Sequence, residues 1–224
     1  MTIAVEDGII DSHMKTFAFI DASNLFYGGE KSLGWKIDYK KLLDYLARKY
    51  SVSQFYYFGG IEIHDFPFDR LVNGTVPIEE LEQHLSRLIK ERGNKMSDIE
   101  LKLVARHRDR ARFFLKLKNF GYTLILKPVK TYRGADGSSL RKANCDADMT
   151  LMMATQKDMF DRVIALSGDG DFLPILKYLR NNGKEILVLA RGPRTAKEIK
   201  RFVGDKFLDF EYLRTRLEFK NNGL

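Results

Sequence analysis

Two aspartates, Asp169 and Asp171, lie between two apolar runs in the segment VIALSGDGDFLPIL. A third, Asp21, ends the apolar run of KTFAFIDASN, and Asn24 follows it about one helical turn later. Carboxylates that lie close together repel one another, and burial beside apolar strands makes each anion costlier. If the fold gathers these side chains, they therefore need either a shared proton or a bound cation.

Asp146 and Asp148 begin the mostly apolar segment CDADMTLMMAT. On a helix they lie about 200° apart, so both cannot face one ion, and we predict Asp146 as the ligand and Asp148 as a supporting residue. Several carboxylates without His or Cys form a site of hard oxygen ligands, which suits Mg²⁺ or Mn²⁺ better than zinc. Beside a basic surface, such a site indicates metal-assisted hydrolysis of a phosphodiester.

Each acidic motif has alternatives. GDGD is also a common turn sequence, and Asp171 is placed to cap the helix that contains Pro174. An EF-hand is disfavoured because its glutamate would fall at Arg180. A haloacid-dehalogenase-like phosphatase needs a second aspartate where this chain has Ser23. A dinucleotide-binding enzyme is disfavoured because no Gly-x-Gly-x-x-Gly follows the first strand.

Alternating apolar strands and amphipathic helices predict the scaffold that positions the acids. The predicted strands are Phe17–Ile20, 53–63, 122–129, 161–168 and 184–190. The predicted helices are 38–50, 78–92, 111–121, 144–158 and 171–183. This order indicates an α/β fold with a mainly parallel sheet and helices on both faces. Parallel strands end at the same edge, so Asp21 and Asp169 are expected to meet there.

The chain is predicted to form a single domain over residues 15–213. Residues 64–112 break the strand–helix alternation and are expected to form a basic helical insertion after the second strand. Residues 1–14, which end in Ser-His-Met, are expected to be a non-native or disordered extension, and residues 214–224 a C-terminal tail.

The positive charge is concentrated in two segments of a chain whose formal net charge is +8. Ser86–Lys118 has eleven Lys/Arg against four Asp/Glu, and Lys127–Lys142 has five against one. Such a surface favours a polyanionic partner, although a pair of solvated helices would have the same pattern. The loop KTYRGADGSSLRK is either an ordinary exposed loop or a phosphate-binding segment, with its candidate contacts at Lys130, Arg133, Arg141 and Lys142.

The single cysteine, Cys145, excludes an internal disulfide and a zinc site built from several cysteines. This cysteine usage fits a reducing, cytoplasmic setting. No apolar run approaches the roughly 20 residues of a membrane span, and acids stand where a signal peptide carries positive charge. We therefore expect a cytoplasmic protein without a membrane partner.

Four segments of the sequence resemble NYN domains, a group in the PIN-like nuclease superfamily that includes the LabA-like proteins. They are FAFIDASNLF, RKANCDADMTLMMAT, IALSGDGDFLPILKYLRNNGKEILVLA and RTAKEIKRFVGDKFLDF. The resemblance covers residues 15–60 and about 110–213, and residues 64–109 have no counterpart in it. Ala143 departs from the pattern, because the family commonly has glycine there.

This resemblance implies a PIN-like, Rossmann-like three-layer α/β/α sandwich and a metal-dependent endoribonuclease that hydrolyses RNA with Mg²⁺ or Mn²⁺. It implies that Asp21, Asp146 and Asp169 are metal-binding catalytic acids, with Asp171 as a further catalytic acid and Asn24 and Ser167 as supporting polar residues. The implied partner is nucleic acid, foremost RNA, and the insertion is a candidate surface for a second copy or another protein. The alternative is a non-catalytic RNA-binding or adaptor module on the same fold.

Overall fold

The computed structural model describes residues 14–25, 31–133 and 139–220. Within these ranges, six strands form one parallel sheet in the order β3-β2-β1-β6-β7-β8, and two more form an antiparallel hairpin. The strands are β1 (Thr16–Asp21), β2 (Val52–Ile61), β3 (Thr123–Pro128), β4 (Lys130–Arg133), β5 (Ser139–Lys142), β6 (Arg162–Leu166), β7 (Glu185–Ala190) and β8 (Phe207–Asp209). The predicted α/β class with a parallel central sheet is confirmed.

Helices cover both faces of this sheet and complete the predicted three-layer sandwich. They are α1 (Lys31–Leu33), α2 (Tyr39–Tyr50), α3 (Ile78–Arg92), α4 (Asp98–Phe120), α5 (Asp146–Thr155), α6 (Leu173–Asn181), α7 (Lys197–Val203) and α8 (Arg214–Leu217). The apolar residues of α2, α3, α4 and α8 form one buried cluster with the sheet. Those of α5, α6 and α7 form a second cluster on the other face.

Strand β1 lies at the centre of the molecule because its residues are apolar on both faces. Phe17 and Phe19 belong to the cluster of α5, α6 and α7, whereas Ala18 and Ile20 belong to the cluster of α2, α3 and α4. Side chains alternate along a strand, so only a continuous apolar run can fill both layers. The charged residue that ends this run, Asp21, therefore marks the edge of the core.

The predicted insertion does not end at residue 112, because α4 runs unbroken over 23 residues from Asp98 to Phe120. The helix expected at 111–121 is the second half of this longer helix. Its N-terminal half carries Val104, which is fully buried in the same cluster as Leu81 of α3. The helices between β2 and β3 therefore share one core with the sheet.

The segment after β3 is an antiparallel hairpin, β4–β5, where the sequence predicted a loop.

The residues near the C-terminus are hydrogen-bonded to the start of α2. The backbone N–H of Asp38 donates to Leu217 O at 2.8 Å, and that of Phe219 donates to Lys36 O at 2.8 Å. Part of the predicted tail is thus fixed against the start of α2. Over the described residues, every helix is too short or too polar to span a membrane. Apart from Met14, the extension predicted at residues 1–14 lies outside the described residues.

Candidate active site

The predicted edge of the sheet is also the place where the topology changes direction. Strand β1 pairs with β2 on one side and with β6 on the other, all in parallel. In open parallel sheets, ligands bind at the carboxyl ends of the strands at such a switch point. Asp21 is the last residue of β1, and Ser167 directly follows Leu166, the last residue of β6. The topology therefore brings these two polar residues together although 146 positions separate them.

The carboxylate of Asp21 is buried and held by the turn that follows it. Its Oδ1 accepts hydrogen bonds from Ser23 N at 2.9 Å, from Ser23 Oγ at 2.7 Å and from Asn24 N at 3.2 Å. Only 6% of Asp21 is exposed, so these donors replace water around the anion. The other oxygen, Oδ2, accepts from Ser167 Oγ at 3.2 Å.

Two hydrogen bonds continue from this turn into the loop after β6. Asn24 Oδ1 accepts from Gly168 N at 3.0 Å, and Ser167 Oγ accepts from Asp169 N at 3.2 Å. Asn24 and Ser167 therefore connect the segment that carries Asp21 to the segment that carries Asp169. Both contacts agree with the supporting polar roles that the resemblance implies, but they do not test catalysis.

Asp171 does not cap α6, whose N-cap residue is Phe172 without a side-chain hydrogen bond, and Asp169 caps the short turn before this helix. Asp169 Oδ1 accepts a hydrogen bond from Asp171 N at 3.0 Å, at the start of the short 3₁₀ turn Gly170–Phe172 that leads into α6. Asp171 itself is exposed. Asp169 precedes this turn whereas Asp171 lies within it, so the side chain of Asp169 is the one placed to accept from the backbone of the turn.

Asp146 reaches the same edge from the N-terminus of α5. Asn144 Oδ1 accepts from Asp146 N at 3.1 Å and so fixes the start of the helix. Asp21 and Asp146 both line a cavity of about 250 Å³, which we name the acid cavity. Its other lining residues are Ala22, Ser23, Phe58, Gly59, Gly60, Glu62, Arg110, Val129, Ala143 and Cys145. Asp169 is not among the residues on its wall.

Asp148 forms ion pairs with Lys127 and Arg70. Lys127, on β3, is buried, and its Nζ also donates to Asn144 O at 2.9 Å. Asp148 and Lys127 thus fix the start of α5 to the sheet, and through it the position of Asp146. The sequence predicted a supporting role for Asp148 but did not single out Lys127. The sequence feature that indicates its role is the position of a lysine within the apolar strand β3.

Glu62 and Arg110 were not among the predicted site residues, although both line the acid cavity. Arg110 Nε lies 3.9 Å from Glu62 Oε2, and Arg110 Nη2 donates to Gly60 O at 3.3 Å. Glu62 directly follows β2, so the rule that identified Asp21 also applies to it. Arg110 comes from the middle of α4, and nothing in its local sequence indicates this position.

The thiol of Cys145 also lines the acid cavity and is 7% exposed. Burial raises its pKa to about 12; the Lys127 ammonium opposes this shift, and the charges of Asp148, Asp21 and Asp146 add to it. The pKa of this thiol therefore depends on the charge of the candidate site.

The four basic residues predicted to contact phosphates all belong to the β4–β5 hairpin. Lys130 pairs with Lys142 in the ladder, and Arg133 pairs with Ser139. Lys130 is exposed. The side chains of Arg133, Arg141 and Lys142 lie outside the described part of the structure, so their contact with phosphates stays a prediction.

The carboxylates of the acid cavity suit a hard cation by their chemistry, but they do not form a complete protein cage. In residues 14–25, 31–133 and 139–220, no group of three His, Cys, Asp or Glu side chains is arranged to hold a metal ion. Mg²⁺ usually binds through one or two carboxylates and takes its remaining ligands from water and substrate phosphates. Asp21 and Asp146 fit that pattern, whereas the predicted third ligand, Asp169, stays a prediction.

The parallel α/β sandwich with acids at its switch point defines the class as Rossmann-like, which includes PIN-like folds. Within this class, the NYN domain model matches residues 83–211, more than half of the chain. The chain therefore belongs to the NYN domain family, as the resemblance indicated. The match begins inside α3, so it includes part of the segment for which no counterpart was expected. It includes Asp146 and Asp169 but not Asp21.

The chain is also similar to a curated relative and to a solved structure. The low amplitude and bright protein LabA of Synechococcus elongatus is 24% identical over 204 residues, which cover 89% of this chain and 86% of the relative. The crystal structure of a protein of unknown function from Vibrio parahaemolyticus is similar with a TM-score of 0.58. It is 19% identical, and the match covers 89% of this chain and 94% of that chain. This likeness supports the fold alone.

Proposed function

We propose that this protein is a metal-dependent endoribonuclease in which Asp21 and Asp146 hold Mg²⁺ or Mn²⁺ and Asp169 assists as a further acid. The observation that carries the proposal is that Asp21 and Asp146, from distant parts of the chain, line one cavity at the carboxyl ends of β1 and β2. Membership of the NYN family supports the same activity.

In this proposal, the chain supplies orientation and charge rather than a nucleophile. When bound, a divalent ion would polarise the phosphodiester and lower the pKa of a water molecule. Ser23, Asn24 and Ser167 hold the Asp21 carboxylate in one orientation. Arg110 offers a cation on the wall of the acid cavity, where a phosphate oxygen of the RNA would lie.

The basic surface supports binding of the RNA backbone. The exposed Lys130 lies two residues after the end of β3, and the hairpin that it begins leads within four residues of its end to Asp146. Cations at this place would neutralise phosphates on either side of the scissile bond. We propose that Lys130, Arg133, Arg141 and Lys142 serve this purpose.

The test is cleavage of a panel of fluorescently labelled RNA and DNA strands with Mn²⁺ or Mg²⁺ and with EDTA. Asp21→Asn and Asp146→Asn should each abolish cleavage while thermal unfolding shows an intact fold. Asp205→Asn, at an exposed aspartate in the turn after α7, is the matched control and should cleave normally. Cleavage that survives EDTA and both site variants would overturn the proposal.

A non-catalytic RNA-binding or adaptor module is the second candidate. It is favoured by the absence of a three-ligand metal group among the described residues. The same panel separates the two, because a module binds RNA without cutting it at any metal concentration. In that case Asp21→Asn should leave the affinity for RNA unchanged or raise it, since it removes a negative charge.

A further inference from the structure

A second cavity of about 470 Å³ lies beside the acid cavity, and we name it the aromatic cavity. Five of its lining residues have aromatic rings, namely Tyr39, Tyr57, Phe113, Phe120 and Phe219. The rings of Tyr39 and Phe113 meet edge to face with centroids 5.3 Å apart, and those of Tyr39 and Tyr57 at 6.1 Å. Its volume is in the range of sites for small organic groups, about 300–1,000 Å³.

The two cavities share a wall. Ala22 and Arg110 line both of them. Ala22 directly follows Asp21, so its Cα lies about 3.8 Å from that of the aspartate. A molecule with one group in the acid cavity and an adjoining group in the aromatic cavity would therefore pass over Arg110.

The edge of the aromatic cavity is positively charged. Lys36, Arg110 and Lys116 line it, and the two lysines are exposed. Its one acid, Asp38, caps α2, where Oδ1 accepts from Lys40 N at 3.0 Å and from Lys41 N at 3.1 Å. Aromatic walls with cations at the edge match a ligand that has a flat ring and a phosphate.

We propose that the aromatic cavity binds one nucleobase of a single-stranded RNA whose neighbouring phosphate lies in the acid cavity. This inference rests on the RNA-binding part of the proposed function and adds the substrate class. A base must leave its stack to enter the cavity, and bases in loops and single strands do so most readily. Stacking on aromatic rings accepts every base, so the cavity selects unpaired RNA rather than a sequence.

The experiment measures binding of a labelled single-stranded RNA in EDTA, and its cleavage in Mn²⁺, by two aromatic variants. Phe219→Ala changes a half-exposed ring, and Phe120→Leu removes a ring while keeping apolar volume. We expect each to bind about five- to a hundredfold more weakly and to cleave more slowly at low RNA concentration. Tyr212→Ala is the matched control, because that ring is 85% exposed and lies outside both cavities.

Two separate lysine replacements, one at the edge of the aromatic cavity and one outside it, test whether the charged edge binds phosphate. Lys116→Gln should reduce the slope of log affinity against log salt by about 0.7, as expected for one lost phosphate contact on a single strand. Lys177→Gln, at an exposed lysine on α6 in the opposite helical layer, should leave the slope unchanged. The wild-type protein should also cleave the single strand faster than the same strand paired with its complement.

The outcomes separate this inference from the proposed function. If wild type cleaves RNA but both aromatic variants bind and cleave normally, or if paired RNA is cut equally well, the base site is wrong and the nuclease stands. If RNA binds without cleavage and the aromatic variants weaken it, the base site stands and the nuclease is wrong. If the protein neither binds nor cleaves RNA, both are wrong.

Discussion

Ser167 Oγ donates a hydrogen bond to Asp21 Oδ2 at 3.2 Å, and the two residues join the ends of β1 and β6. The same hydroxyl accepts from Asp169 N at 3.2 Å. Both Ser167 and Asp21 are buried, with 3% and 6% of their surfaces exposed. One hydroxyl therefore sets the position of a carboxylate and of the following acidic loop at once.

Ser167→Ala is expected to impair the site more than the fold. The loss of both hydrogen bonds of this hydroxyl should lower the free energy of unfolding by about 1–3 kcal/mol. Metal affinity or activity should fall about 10- to 100-fold, because residues that orient metal ligands have effects of this size. Isothermal titration with Mn²⁺ and initial cleavage rates measure the effect. Ser53→Ala removes a hydroxyl that donates to Thr16 O at 3.4 Å, at the opposite end of β1 from Asp21, and should leave Mn²⁺ affinity and the cleavage rate unchanged. Equal effects of the two replacements on these quantities would contradict the role of Ser167.

Position 168, in the loop after β6, requires glycine because Thr195 leaves no room for a Cβ. A Cβ at this position would lie 2.5 Å from Thr195 Oγ1 and 2.9 Å from Thr195 Cα. Gly168→Ala should therefore displace the loop that carries Asp169 and lower the free energy of unfolding by about 1–3 kcal/mol. At Gly74, nothing lies within 4 Å of the added atom, so Gly74→Ala should be neutral or slightly stabilising. Chemical denaturation of both variants checks this contrast, which similar midpoints would refute.

Lys127 is predicted to hold the start of α5. Lys127→Met keeps the apolar stem but removes the ammonium that pairs with Asp148 and donates to Asn144 O. We expect a loss of about 1–3 kcal/mol in the free energy of unfolding, because a buried donor is removed and its acceptors lose their partner. Cleavage should fall as well, since Asp146 begins the same helix.

Arg70→Met is the matched control for Lys127. Arg70 also pairs with Asp148, with a distance of 3.5 Å between Arg70 Nη2 and Asp148 Oδ1, but 58% of its side chain is exposed. Exposed ion pairs contribute about 0–1 kcal/mol, so this variant should be nearly as stable as wild type. A larger loss for Arg70→Met than for Lys127→Met would show that the buried lysine does not anchor α5.

The sequence was sufficient for the parts of the fold that are buried on both faces. Continuous apolar runs such as Phe17–Ile20 fit only a central strand, and parallel strands place their terminal acids at one edge. This is why Asp21 and the loop after β6 were expected together. The same rule applies to Glu62, which directly follows β2.

The parts that were missed depend on contacts that no local pattern encodes. The β4–β5 hairpin has no apolar alternation, because it is a two-stranded ribbon outside the main sheet. The sequence pattern does not indicate the start of α4 at Asp98, because half of the residues in the N-terminal half of this helix are charged. Lys127 and Arg110 owe their roles to distant partners, and these become neighbours only after folding.

Cys145 is expected to report the charge of the acid cavity. Burial raises the pKa of its thiol from an ordinary value near 9 to about 12, so the reactive thiolate is scarce at pH 8. Alkylation by iodoacetamide at pH 8 should therefore be much slower in the folded protein than in urea. Because the charges of Asp21 and Asp146 help to raise this pKa, Asp146→Asn should lower it and accelerate labelling.

A divalent cation bound by these acids should also lower the pKa of the Cys145 thiol, because it offsets their negative charge. Faster labelling on addition of the cation would then report metal binding without RNA. The chain has one cysteine, so mass spectrometry counts this thiol alone, and labelling as fast in the folded as in the unfolded protein would refute the prediction.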